Sequence, residues 1–410
     1  MMRFDQSLSF CYAQRKAGCM NVDWQMFAEK LKRHGMESKI AGSLARSLSI
    51  SMSGGGCCEQ RAQWALSKGF LPDRVSSYGL DDDNVDLYLS DIDYYMAHPI
   101  NNHFRFWIND KLTLKYMLSA PQLRDLMPEY YVYIENNGRY TYLQDMPSNI
   151  ARDGECLLAL LKQKGILAVK PSNGFGGTGF MRMELAKDEG VVVNGVLVSR
   201  REFFDMCRKL NGCIVTEYTR QHEDLREIWD GAECALRIVM AKELPFEDVF
   251  DEPSYNCICS YARFGTAESG GVSNTCHGGI GVPFDFETGV LHGEGVKRKL
   301  DGGGHCRFAA HPDTGIVFEG RPLPSYQQVK DAVLKTCAYM SSLDYFGFDV
   351  IISERGPKLC EINSHPSMED PQALCGPVLK NEFAREFFKQ KKTKDYPRDL
   401  LWRLFLECGG

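Results

Sequence analysis

No stretch of the 410-residue chain approaches the roughly 18 consecutive apolar residues of a membrane span, so no membrane-spanning segment is expected. The first residues, "MMRFDQSLSFCYAQRK", lack the apolar centre of a secretory signal, and a cytoplasmic, reducing location follows as the expectation. No C-x-x-C pair occurs among the 16 cysteines, which removes the usual spacing of zinc and dithiol sites. Cys57, Cys58, Cys257 and Cys259 read instead as buried free thiols. Positive charge is not in excess: 48 Lys and Arg stand against 54 Asp and Glu, a net −6. A nucleic-acid partner, which usually needs a basic face, is therefore not expected, although a few local cations suffice for phosphates. Internal repeats and low-complexity tracts are missing too. What is present is an ordinary globular composition, with 44% hydrophobic and 25% charged residues, and enough length for two or three lobes.

Residues 1–105 read as mainly helical, with amphipathic stretches such as "DWQMFAEKLKRHG" separated by the flexible, polar "SISMSGGG". From a helix near Asn109 onward, strands and helices alternate. "GILAVKP", "FMRMEL", "GCIVTEY", "ALRIVMAKE", "YNCICSYARFG", "FGFDVIIS" and "PKLCEINS" read as strands, with helices in "SREFFDMCRKLNG" and "SYQQVKDAVLKTCAYMSSL". The expectation is a strand-rich α+β architecture over 106–390, with one lobe at about 155–220, a second at about 221–390, and a tail at 391–410.

The chemistry begins at "GILAVKPSNGFGGTGF", where Lys170 ends a strand and four glycines follow within Gly174–Gly179. The lysine precedes the glycines and no G-K-[ST] follows, which excludes a P-loop. A strand rather than a helix follows the last glycine, against a dinucleotide-binding fingerprint. Neither H-R-D nor D-F-G occurs, against a protein kinase. There remains a strand-borne lysine beside a glycine loop, or a plain glycine-rich hairpin.

A second constellation lies in "FGFDVIISERGPKLCEINSHPSM". If "SERGPK" turns, Asp349 falls opposite Glu361, and the two-residue strand period puts Asn363 on the same face. Two carboxylates and an amide oxygen suit Mg²⁺, and the alternative is a polar outer face of an edge hairpin. In "CIVTEYTRQHEDL" a strand breaks into a polar stretch at Glu217, where freed backbone groups can meet a base edge. Arg237 and Arg263 interrupt apolar strands and need anions, either an acidic neighbour or a ligand phosphate or carboxylate.

In this order, "NDKLTLKYML", "VKPSNGFGGTGF", "TEYTRQHEDL", "SNTCHGGIGVPFDFETGVL" and the Asp, Glu, Asn hairpin resemble the ATP-grasp superfamily over residues 105–385. Within it they look most like the sugar-transfer-associated group of bacterial surface-polysaccharide clusters, with teichuronic-acid-type ATP-grasp proteins also similar. The resemblance implies two α+β lobes gripping ATP. It implies that Lys111 and Lys170 neutralise phosphates, that the loop with Asn173, Gly174, Gly176, Gly177 and Gly179 closes over them, and that Glu217 and Tyr218 contact adenine. Asp224, or else Glu223, would hold the ribose, and Asp349, Glu361 and Asn363 one or two Mg²⁺ ions. Arg237, Arg263 and Asn274 would be catalytic, with His277, Gly278 and Gly279 lining the acceptor side. The implied activity is ATP-dependent ligation of a small-molecule carboxylate to an amine through an acyl phosphate. A kinase acting on a hydroxyl and a nucleotide-gated scaffold remain as alternatives, and a homo-oligomer is compatible with the sequence. The helical 1–105 departs from the Rossmann-like opening of many such ligases, which leaves the acceptor unspecified.

Overall fold

A computed structural model describes residues 22–53, 58–174, 179–187, 190–243, 250, 252–299, 304–392 and 394–410. Two seven-stranded sheets dominate it. The first contains β1 (Tyr130–Ile134), β2 (Tyr140–Tyr142), β3 (Ile166–Pro171), β4 (Met181–Leu185), β5 (Val191–Val193), β6 (Val196–Val198) and β7 (Cys213–Glu217), in the order β2-β1-β7-β3-β4-β5-β6. The second contains β8 (Ala235–Lys242), β9 (Tyr255–Phe264), β10 (Ile280–Pro283), β11 (Gly295–Arg298), β12 (His305–Phe308), β13 (Tyr345–Ser353) and β14 (Gly356–Asn363), in the order β12-β11-β10-β9-β8-β13-β14. Every ladder is antiparallel, so the α+β expectation stands.

Helices cover these sheets by apolar stripes. In Tyr326–Tyr339 the buried residues Val329, Ala332, Val333, Thr336 and Cys337 recur at three- and four-residue steps, which puts them on one face against the second sheet. Helix Arg200–Cys207 starts on a capping box: the Ser199 hydroxyl accepts from the Glu202 N–H, and the Glu202 carboxylate accepts from the Ser199 N–H. With Cys156–Lys164 it closes the core of the first sheet.

The N-terminal region is helical, and it differs from expectation at one place. Ser49–Ser53 of the supposedly flexible "SISMSGGG" complete the helix Ser38–Ser53, because Leu44, Leu48 and Ser51 keep a buried face through its last turns. The glycines of that stretch lie outside the described residues, as does Cys57. Cys58 is exposed and Cys257 half-buried, which corrects the buried assignment for both; Cys259 is buried. Residues 391–410 are more than a tail. Helix Leu400–Glu407 buries Leu400, Leu401, Leu404 and Phe405 in one core with Phe27, Leu31, Leu44 and Leu48. The Asp23 N–H donates to the Cys408 carbonyl at 2.9 Å, tying the two together. Among the described residues no helix is long and apolar enough to cross a membrane.

Candidate active site

A cleft of about 240 Å³ lies between the two sheets. Ala168, Lys170, Thr216 and Glu217 line it from the first sheet, and Ala235, Arg263, Asp349, Ile351 and Glu361 from the second.

Lys111 joins the two sides. It opens the helix Lys111–Met117, whose N-cap Asp110 accepts from the Thr113 N–H at 2.8 Å, and this cap fixes where the lysine emerges. Its Nζ donates to the Gly174 carbonyl at 3.0 Å and lies 3.4 Å from Glu361 Oε1. Lys170 is placed by the β3–β7 ladder, opposite Ile214. Its ammonium has no hydrogen bond or ion pair among the described residues, and it lies 5.8 Å from the centre of the Tyr130 ring. Burial, with Lys111 adding to it, holds Lys170 below the ordinary lysine range against the pull of Cys360 and Glu361. A half-buried cation without a counter-ion is costly unless an anion comes to it.

Asn173 and Gly174 begin the glycine loop and Gly179 ends it, while Gly176 and Gly177 lie outside the described residues. Gly179 sits at φ +78°, and a Cβ there would come within 2.9 Å of Pro171 Cγ, so the exit of the loop requires glycine.

The hairpin matches its expected register. Asp349 pairs with Glu361 and Gly347 with Asn363, which puts Glu361 and Asn363 on one face. The turn is tighter than "SERGPK", since Ser353 pairs with Gly356 around Glu354 and Arg355. Asp349 is the most heavily engaged acid of the site. It accepts from Arg237 Nε at 2.7 Å and Nη2 at 3.1 Å, and Arg263 Nη2 lies 2.8 Å from its Oδ1. Both strand arginines thus have an acidic partner, and it is the same one. Burial alone would push Asp349 up, but the two guanidiniums override it and hold the carboxyl below the usual aspartate range. Glu361 is freer, its ion pair among the described residues being the long Lys111 contact, and Asn363 lies beyond the cleft lining.

At the other end of the cleft Glu217 closes β7. Its Oε2 accepts from the Glu129 N–H at 3.2 Å, and its Oε1 pairs with Arg355 from the tip of the hairpin. Tyr218 follows the last ladder pair, with the Arg182 guanidinium 5.1 Å from its ring; burial and the Glu233 carboxylate push its hydroxyl up.

Several candidates lie apart. Glu223 and Asp224 are outside the cleft lining, on a short helix whose Asp224 side chain is 58% exposed. Glu233, which the sequence reading passed over, does line it and accepts from the Gln221 N–H at 2.5 Å. Its only sequence signal was an acid at the entrance of β8. Gly271, Val272 and Ser273 reach the cleft, whereas Asn274, His277, Gly278 and Gly279 do not. Asn274 caps a turn through its side chain, and a Cβ on Gly279 would approach the Ser273 carbonyl oxygen to 2.6 Å, so these residues build the loop. Cys360 lines the cleft, but burial pushes its thiol up to about 11, leaving little thiolate at neutral pH.

The family model described as sugar-transfer associated ATP-grasp matches residues 93–387. The chain belongs to this family. Among curated proteins none matches the sequence. Solved structures with a similar fold include D-alanyl-alanine synthetase A from Vibrio cholerae O1 biovar eltor, at 11% identity and a TM-score of 0.37, over 70% of this chain and 65% of that one. They also include D-alanine–D-alanine ligase from Bacillus anthracis complexed with ATP, at 14% identity, TM-score 0.33, over 69% and 68%. Biotin carboxylase from Campylobacter jejuni is similar at 10% identity, TM-score 0.37, over 71% and 48%. The ATP-grasp protein thus spans slightly less than two thirds of the length of the first of these.

Proposed function

We propose that this ATP-grasp protein is an ATP-dependent carboxylate–amine ligase. The observation that carries the nucleotide half is Lys170, a cation without an ion-pair partner among the described residues, in a cleft that Lys111 also enters. Phosphate oxygens supply the missing partner, and the Gly174–Gly179 loop covers them. Glu217 and Tyr218 bound the base end of the cleft. Glu233 is the better candidate for the ribose than Asp224 or Glu223, since it alone of the three lines the cleft.

The donor set on the hairpin suits Mg²⁺, because Glu361 and Asn363 offer hard oxygen atoms on one face and Asp349 stands opposite Glu361. These three would hold the metal, which when bound neutralises charge on the phosphates. Arg237 fixes Asp349, and Arg263, which lines the cleft beside it, stabilises charge on the transferring phosphoryl group.

In the reaction a substrate carboxylate oxygen attacks the γ-phosphorus of ATP and ADP leaves. An amine nitrogen then attacks the acyl carbon; the carbon–nitrogen bond forms, the carbon–oxygen bond to phosphate breaks, and phosphate and a proton are released. No cysteine of the cleft is poised as a nucleophile, in keeping with direct transfer. The test is to incubate the protein with Mg-ATP, a panel of carboxylic acids and hydroxylamine. Hydroxamate is expected, because hydroxylamine traps an acyl phosphate. ADP formation that depends on a hydroxyl compound, with no hydroxamate from any acid, would replace the ligase by a kinase.

A further inference from the structure

Three acidic groups lie around the Lys170 ammonium, and none of them neutralises it. Glu361 is taken by Lys111, at 3.4 Å. Cys360 lines the same cleft, but burial pushes its thiol up to about 11, so it stays uncharged at neutral pH. Burial also pushes the Tyr130 hydroxyl far up, so no phenolate stands in as a counter-ion. What the ammonium does meet is the Tyr130 ring, with Nζ over it at 5.8 Å from the ring centre. The face of an aromatic ring is the negative side of its quadrupole and attracts a cation within about 6 Å. Away from water that attraction strengthens, and burial already weighs on Lys170.

Tyr130 is fixed firmly enough to act as a support. Its side chain is fully buried in the core beneath the cleft. The residue pairs with Thr216 of β7, and its N–H donates to Asp145 Oδ2 at 2.8 Å. The same oxygen lies 2.8 Å from Lys115 Nζ, which also donates to the Pro128 carbonyl at 2.8 Å and sits 5.2 Å from the centre of the same ring. Lys115 is therefore held by an acid and a carbonyl besides the ring. Lys170 has the ring and no ion pair among the described residues. The Tyr130 hydroxyl is buried and, among the described residues, without a hydrogen-bond partner, so the ring and not the hydroxyl makes the useful contact.

We propose that Tyr130 is a positioning residue of the nucleotide cleft, its ring face holding the Lys170 ammonium where a phosphate oxygen arrives. A lysine carries a strongly hydrated head on a flexible four-carbon stem. Without the ring the head turns toward bulk water, and nucleotide binding must draw it back. That the arriving group is a phosphate rests on the ATP reading above; the hold of the ring on the ammonium does not.

The test uses the full chain with Tyr130→Phe and with pentafluorophenylalanine at position 130, which nearly keeps the shape of the ring and reverses its quadrupole. Tyr130→Phe should melt no lower than the parent, since the hydroxyl has no partner to lose, and should bind Mg-ATP within about two-fold of it. The fluorinated chain should bind Mg-ATP about three-fold or more weakly, with its affinity for adenosine unchanged. Without nucleotide, the carbon-13-labelled Lys170 ε-methylene, identified by its loss in Lys170→Met, should resonate upfield in the parent and in Tyr130→Phe. In the fluorinated chain it should move toward the position of an exposed lysine. An ε-methylene already at that position in the parent, or equal Mg-ATP affinity of the phenylalanine and pentafluorophenylalanine chains, overturns the proposal. An upfield signal that fluorination removes, in a chain that binds no Mg-ATP, supports the ring and removes the nucleotide reading. Mg-ATP binding that Lys170→Met weakens and fluorination leaves intact keeps the nucleotide reading and removes the ring.

Discussion

Lys170 and Glu361 are the single residues on which the nucleotide and metal assignments can be tried without disturbing the fold. Lys170 has a depressed value, so the folded chain binds its proton less readily than the unfolded one. Its charge therefore costs stability at neutral pH, and the cost shrinks as pH rises toward the ordinary lysine value of 10.5. Lys170→Met is expected to melt no lower than the parent at pH 7, with the difference between them narrowing at higher pH. A charge-assisted phosphate contact is worth about 1.5–3 kcal/mol, so the same variant should bind ATP roughly ten-fold to a hundred-fold more weakly by titration. A folded variant with parental affinity would make the lysine structural. Glu361→Gln keeps size and hydrogen bonding, and among the described residues the ion pair it loses is the 3.4 Å contact with Lys111. It should fold like the parent and lose most Mg²⁺-dependent ATP turnover, measured by phosphate release at limiting Mg²⁺.

At the scale of the element, the β13–β14 hairpin behaves differently at its two acids. Asp349 is the shared counter-charge of two arginines on β8 and β9, so Asp349→Asn leaves both nearly buried and uncompensated. A loss of about 3–5 kcal/mol in denaturant unfolding is expected, far more than for Glu361→Gln. Because Asp349 is held below the usual aspartate value of 3.8, its contribution is present above that pH and fades as pH falls through the folded value; the variant should lack this acid step. The hairpin register was legible in the sequence because a strand alternates strictly by two, and Asp349, Glu361 and Asn363 had only one way to share a face. The arginine partners were not, because the β8–β13 pairing that brings Arg237 to Asp349 joins residues 112 positions apart and no local pattern announces it. Glu233 was hidden for a similar reason: its place in the cleft depends on where β8 starts, which no local pattern marks. Ser49–Ser53 misled in the opposite direction, since serines are read as loop although a buried face carries the helix through them.

For the whole molecule, the N-terminal helices and Leu400–Glu407 form one core built from opposite ends of the chain, and composition alone did not reveal it. Leu401 is fully buried there, so Leu401→Ala should cost about 2–5 kcal/mol and speed proteolysis of residues 22–53, with ATP affinity unchanged.

The pair between Glu217 and Arg355 has a mechanical meaning. It does not act alone: the His222 N–H donates to the Ile352 carbonyl at 2.7 Å, and the Glu223 N–H to Glu354 Oε1 at 2.8 Å. The hairpin tip is thus stitched to the end of β7 and the segment after it, while the opposite rim is bridged by the Lys111 ammonium, which an incoming phosphate would claim. The cleft is thereby tied by three contacts at its Glu217 end and, among the described residues, by the Lys111 ammonium at the other. An anion that took the Lys111 ammonium would loosen the second tie and leave the first intact, so the two sheets would stay joined at Glu217 while the Lys170 end was freed.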